Sequence, residues 1–187
     1  MLSQRPEADA LLDKDPLALV IGMVLDQQIP LEKAFSSPYV LTERLGHVPD
    51  AAEIAGMDEE ALVAVFSTPP ALHRFPGSMA KRVRAMCQLV VEEYDGDVST
   101  VWTRAADGGD LLKRLGALPG FGKQKAQIFL ALLGKQYGVD VPGWREAAGE
   151  FGAAGTYLSV ADIRDTESLG KVREHKKQLK AAAKAKG

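Results

Sequence analysis

Residues 118–144, LPGFGKQKAQIFLALLGKQYGVDVPGW, decide how this chain folds. They are entered through Leu115-Gly-Ala-Leu-Pro-Gly-Phe-Gly-Lys, a turn between two helices. Gly120 and Gly122 can take dihedrals closed to other residues and carry no side chain to block a close ligand. The turn leads straight into an amphipathic helix over Lys123–Tyr137, with Ala126, Phe129 and Leu130 inward and Gly138 at the left-handed stop. The first amides of that helix lack partners within it, and together with the positive end of the helix dipole they suit an anion. Phe121, between the glycines, is placed to plug into the core and hold the turn. Taken singly, the same residues also fit an ordinary helix connection with a glycine stop.

Outward from this hairpin the signals stay helical. Asp15-Pro16 caps and opens LALVIGMVLDQQ, and Pro30 allows a fresh start into LEKAFSSPYVLTERLG. Asp58 caps EEALVAVF. Ser78 is placed to cap MAKRVRAMCQLVVEEY, whose Val83, Met86, Leu89 and Val90 mark a buried face and which Asp95-Gly96 ends. Short helices are expected around Gly108-Gly109, a capping box at Ser159–Asp162, and a last helix over TESLGKVREHKKQLKAAAKA. No stretch alternates with strand periodicity. The expectation is an all-α chain of eight to ten short helices, with a helical domain over 1–170, its hairpin at about 112–137, and a basic end at 171–187.

Composition narrows the function. The longest apolar run, LALVIGMVL, is too short to cross a bilayer, and no secretory leader opens the sequence, so a cytoplasmic protein is expected. A single cysteine, Cys87, excludes a disulfide framework and a four-cysteine cluster, and its helical setting makes it a small buried hydrophobe. His47, His73 and His175 lack metal-ligand spacing. The net charge of −2 hides an asymmetry: residues 171–187 carry seven Lys/Arg against one Glu, a net of +6, which leaves −8 for residues 1–170. Affinity for DNA must then come from a local surface or from this end, which equally reads as a solvated helix end.

The string Leu115…Leu-Pro-Gly-x-Gly-Lys followed by Ala126, Phe129 and Leu130 resembles the helix-hairpin-helix motif of the DNA glycosylase superfamily that includes endonuclease III, adenine glycosylase and the alkylpurine glycosylases. FPGSMAKRVRAMCQLVVEEYDGDV and VIGMVLDQQIPLEKA are similar to two upstream segments of that family, so the resemblance covers residues 15–145. It implies two helical lobes flanking a cleft, and double-stranded DNA with a damaged base as the partner of a monomeric protein. The hairpin residues Gly120, Phe121, Gly122, Lys123, Gln124 and Lys125 would contact DNA through main-chain amides. The carbonyls of Gly116, Leu118 and Phe121 would hold a monovalent cation, with no other cofactor. One cysteine separates the chain from relatives with an iron–sulfur cluster.

Excising a base requires swinging it out of the stack at a cost of a few kcal/mol. Gln28, with Gln27 and Asp26 beside it, is the candidate to fill the gap, or simply ends a helix. The resemblance implies a carboxylate beyond the hairpin to stabilise positive charge on the sugar and orient water. Asp140 is the only acid there, sixteen residues after Gln124; Pro142 and Gly143 after it depart from the family pattern, and a turn aspartate is the alternative. Where bifunctional relatives carry a Schiff-base lysine this chain has Gln124, whose amide nitrogen cannot form an imine. Lys123 and Lys125 are expected to point elsewhere on the helix. Phe35, Tyr39, His73, Phe75 and Trp144 are available to stack a base. The reading is a monofunctional glycosylase, leaning to alkylated purines; a non-catalytic lesion-binding protein on the same scaffold is the alternative.

Overall fold

The computed structural model describes residues 1–187, and they contain no strand. Eleven α-helices follow one another: α1 (Pro6–Lys14), α2 (Pro16–Leu25), α3 (Leu31–Leu45), α4 (Ala51–Gly56), α5 (Glu59–Ser67), α6 (Pro76–Tyr94), α7 (Thr100–Thr103), α8 (Gly108–Gly116), α9 (Lys123–Gln136), α10 (Trp144–Ala147) and α11 (Thr166–Ala185). Two 3₁₀ turns, Gly149–Gly152 and Val160–Asp162, fill the interval before the last helix. The count exceeds the sequence expectation because α1 and α4 are real helices. They are short and bury two apolar residues each, Ala8 and Leu12 in one and Ala51 and Ile54 in the other, which makes a weak periodic signal.

Local chemistry sets most helix starts. Asp15, Asp50, Asp58 and Asp107 each accept a backbone N–H of the first turn that follows them. Ser78 does not cap α6: the helix begins at Pro76, whose fixed φ suits the first helical position, and Ser78 lies inside it. The capping box at Ser159–Asp162 is present and closes the second 3₁₀ turn.

Helix α2 is the axis of the first lobe. Nine of its ten residues are buried, and α3 and α6 pack against it, with α4 and α5 behind α6. The hairpin helices α8 and α9 build the second lobe with α10 and the 3₁₀ turns. The 45 buried residues of the core form one connected cluster, so the lobes share their packing. A buried ion pair stitches the second lobe: Lys135 Nζ lies 2.6 Å from Asp162 Oδ1, and the other carboxylate oxygen accepts from Leu158 N at 2.8 Å.

Helix α11 runs unbroken across residues 170 and 171, so the basic end continues a helix anchored by buried Leu169 and Val172. No helix is long and apolar enough to cross a membrane.

Candidate DNA-binding cleft

The hairpin forms as its glycines predict, with one difference. Gly120 sits at φ +94°, where a β-carbon would lie 2.9 Å from Arg82 Cδ. Gly122 is at φ −84°, ψ 179°, a conformation open to any residue, and a β-carbon there would meet nothing within 4 Å. Its missing side chain therefore serves nothing inside the protein. Phe121 is buried, its ring centroid 5.7 Å from that of Phe129, and its N–H closes the turn on the Leu118 carbonyl at 3.1 Å. The amides of Gly120, Gly122, Lys123, Gln124 and Lys125 donate to no protein acceptor, and residues 122–124 are exposed. The carbonyls of Gly116 and Phe121 accept no hydrogen bond, and that of Leu118 accepts only the Phe121 N–H.

Beside the hairpin opens a cleft of about 1180 Å³, bounded by the α2–α3 connection on one side and by α9 and α11 on the other. It exceeds the roughly 300–1,000 Å³ of ordinary small-molecule pockets. Its cations are Arg74, Lys125 and five from α11: Arg173, Lys176, Lys177, Lys180 and Lys184. Against them stand the carboxylates of Asp26 and Glu32. The recurrence at three and four residues puts the α11 cations on one face of the helix. An acidic chain thus presents one strongly positive groove.

Gln28 lines this cleft, is exposed, and holds φ +57°, a left-handed conformation that costs a non-glycine residue about 1–2 kcal/mol. Its side chain makes no hydrogen bond within the protein, in contrast to Gln27, whose amide donates to the Val24 carbonyl at 3.3 Å. Buried His73 over-determines the strained loop. Its Nδ1 accepts from Phe75 N at 2.9 Å, which leaves the proton on Nε2 to donate to the carbonyls of Leu25 (3.1 Å) and Gln27 (2.9 Å). Burial pushes its pKa below the ordinary histidine value, keeping this neutral tautomer.

Gln124 and Lys125 line the same cleft as Gln28, whereas Lys123 is exposed and outside its wall. The expected divergence of Lys125 is thereby corrected. The cleft wraps enough of α9 to include adjacent positions, and the long lysine stem reaches the end of α2, where Nζ donates to the Met23 carbonyl at 2.8 Å and that of Val24 at 3.3 Å.

Asp140 is exposed, makes no hydrogen bond through its side chain, and is not among the residues lining the cleft. It follows the far end of the 14-residue α9, whose axis spans roughly 21 Å from the hairpin amides. The turn after it is tied to the start of α8: Gly108 N donates to Pro142 O at 2.7 Å, and a β-carbon at Gly108 would lie 2.4 Å from Gly143 O. Trp144 then docks on Gly134, where a β-carbon would come within 2.6 Å of the ring.

None of the five aromatic candidates lines the cleft. Phe35, His73 and Trp144 are buried, Tyr39 is half-buried with Arg5 over its ring, and Phe75 is exposed. The apolar wall is aliphatic instead, from Met23, Ile29, Leu31 and Ile128. One feature escaped sequence reasoning, the orientation of the α11 lysines; Asp26 was named only as a neighbour of Gln28, not as an acid inside the cleft. The signal for Asp26 was an acid ending an apolar helix, where the negative dipole end disfavours it.

A hairpin with free amides, a strained glutamine loop and a cationic groove between helical lobes are the parts of a helix-hairpin-helix scaffold. Comparison with protein-family models agrees: residues 21–186 match the HhH-GPD superfamily base excision DNA repair protein model. The chain belongs to this superfamily. The match takes in α11, which lies beyond the stretch the sequence resemblance covered. Searches of curated proteins and of solved structures return no match.

Proposed function

We propose that this protein is a monofunctional DNA glycosylase that takes duplex DNA into the cleft as a monomer, extrudes a damaged base and hydrolyses its glycosidic bond, with alkylated purines as the favoured class. The observation that carries the reading is the cleft itself, where an unpartnered glutamine on a strained loop and seven cationic side chains come together, Gln124 and Lys125 being the inner end of a hairpin whose amides are free. Gly120, Gly122, Lys123, Gln124 and Lys125 would seat a backbone phosphate through their N–H groups, with Phe121 holding the turn. Gln28 would occupy the gap left by the extruded base, donating and accepting hydrogen bonds to its former partner.

Hydrolysis rather than strand cleavage is supported at two positions. Gln124 has no nucleophilic amine, and the amine of Lys125 is engaged by the carbonyls of Met23 and Val24. The carbonyls of Gly116, Leu118 and Phe121 are the proposed holders of a monovalent cation. The first and third accept no other bond, and carbonyl oxygens suit a hard cation. Such an ion would supply fixed positive charge next to the phosphate site. The alkylated-purine preference draws on the aliphatic wall and on the cluster-free, lysine-free pattern.

The test is single-turnover incubation with duplexes carrying alkylated, deaminated or oxidised bases, followed by heating in alkali to reveal abasic sites. The expected result is a strand break at an alkylated purine after the alkali step and an intact strand before it. Absence of product from every lesion would overturn the enzymatic reading and leave the binding one, which the solvent-exposed position of Asp140 favours.

The α11 face makes a second prediction. Replacing Lys177, Lys180 and Lys184 together by glutamine should leave the fold intact, because all three are exposed. It should reduce the slope of log K against log salt for DNA binding by about 2–3, near 0.9 for each phosphate no longer neutralised. An unchanged slope in anisotropy titrations would mean these lysines face the groove without touching DNA.

A further inference from the structure

The cleft contains two carboxylates, and they differ in what holds them. Glu32 forms an ion pair with Arg173 of α11. Asp26 accepts a hydrogen bond from no protein group, although it stands at the deep end of the α2–α3 loop, two residues before Gln28. Its own N–H closes the last turn of α2 on the Met23 carbonyl at 3.3 Å, which fixes the main chain from which the carboxylate springs.

The position is an expensive one for an acid. The C-terminal end of a helix carries partial negative charge, so an aspartate there is repelled. Burial pushes the Asp26 carboxyl above the ordinary range, opposed by the charges of Lys176 on α11 and Lys125 on α9. The cleft also holds Glu32, Arg74, Arg173, Lys177, Lys180 and Lys184, and Lys125 also neutralises the helix end through the carbonyls of Met23 and Val24. Local rules are broken here without any structural gain to the fold. Such breaks concentrate at functional positions.

We propose that Asp26, and not Asp140, is the catalytic carboxylate of this cleft, with Lys125 and Lys176, which line the same cleft, as positioning residues. The inference rests on the glycosylase reading above. In the step it serves, Asp26 accepts a proton from a water whose oxygen bonds to C1′ of the extruded nucleotide. The C1′–N bond breaks, and its electron pair leaves with the base. A purine alkylated on a ring nitrogen carries a positive charge and departs neutral, so charge and protons balance with one proton on Asp26. The ionised carboxylate also stabilises the positive character that develops on the sugar before the new bond is complete.

The experiment uses the full chain and a duplex containing methylated purines, with release of free base as the readout under single turnover. Asp26→Asn should lower the rate by about 10²–10⁴-fold. It should bind the duplex at least as tightly as the unaltered protein, since a negative charge leaves a cationic groove. Because a carboxyl whose folded pKa is raised binds its proton more readily in the native state, its ionisation costs stability as pH rises. The amide variant should therefore be no less stable at neutral pH. The unaltered enzyme should lose rate as pH falls through a value above the ordinary carboxylate range, and Asp26→Glu should recover part of the activity. Asp140→Asn should stay within about threefold of the unaltered rate, less than one partial general-base contribution.

An active enzyme whose Asp26→Asn form keeps its rate, or whose Asp140→Asn form loses it, overturns the assignment while the glycosylase reading survives. Borohydride trapping of a covalent complex that disappears in Lys125→Met also overturns it, since lysine rather than water would then attack C1′. An unaltered protein that releases no base removes both readings together.

Discussion

Gly122→Val should weaken binding to duplex DNA by about 10–100-fold and leave the thermal midpoint where it is. The backbone at Gly122 has φ −84° and ψ 179°, which valine adopts freely, and an added β-carbon has no neighbour within 4 Å. Nothing in the folded chain objects to the larger residue. What the isopropyl group does obstruct is the approach of a phosphate to the free amides from Gly122 to Lys125. Hydrogen bonds to a charged group contribute about 1.5–3 kcal/mol, and a tenfold loss in affinity corresponds to about 1.4 kcal/mol. Anisotropy titration at fixed salt, alongside thermal melting, separates the two effects. Gly120→Val is the less informative variant, because φ +94° and the contact with Arg82 would strain the fold as well. A Gly122→Val protein that binds DNA normally would reduce the hairpin to a connection between α8 and α9.

Lys135→Met should destabilise the protein by about 3–5 kcal/mol, nearer the lower figure. The Lys135 and Asp162 side chains are only 7% and 5% exposed, so removing the ammonium strands a carboxylate in a place water barely reaches. Three other donors soften the loss: Leu158 N at 2.8 Å, Thr156 Oγ1 at 3.2 Å and Ser159 N at 3.4 Å remain on Asp162. Urea denaturation should show a lower midpoint with an unchanged slope. Adding Asp162→Asn to the methionine variant should recover part of the stability, because the amide oxygen still accepts those bonds without a buried charge. A cost under about 1 kcal/mol, the range of exposed pairs, would mean that water reaches this one. The pair fastens the second 3₁₀ turn to α9, and Gln136 adds bonds to the carbonyls of Ala161 (2.7 Å) and Ile163 (3.0 Å). Since α11 packs on that turn, this suture sets where the lysine face meets the cleft.

Asp140 and Asp26 show how far residue spacing carries. Counting from Gln124 placed Asp140 at a plausible interval for a carboxylate near the sugar, but an interval specifies reach and not direction. Direction came from groups remote in sequence: the bond from Gly108 to Pro142 and the docking of Trp144 on Gly134. Asp26 was visible beside Gln28 from the outset. The role proposed for it depends on Lys125, some hundred residues away, neutralising the end of α2. The aromatic candidates failed for a related reason. An aromatic residue at helical spacing fits a core as well as a pocket, and here the core took Phe35 and Trp144.

The sequence by itself determined the helical class, the hairpin turn and several of the caps, because each is settled within a few residues by glycine, proline or an aspartate oxygen. The starts at Asp15 and Asp58 and the stop at Asp95-Gly96 are of this kind. Tertiary structure alone decided which face of α11 lines the groove, which acid enters it, and that Lys125 turns inward. These are matters of rotation and docking between elements, and they are set by packing among residues that no local pattern connects.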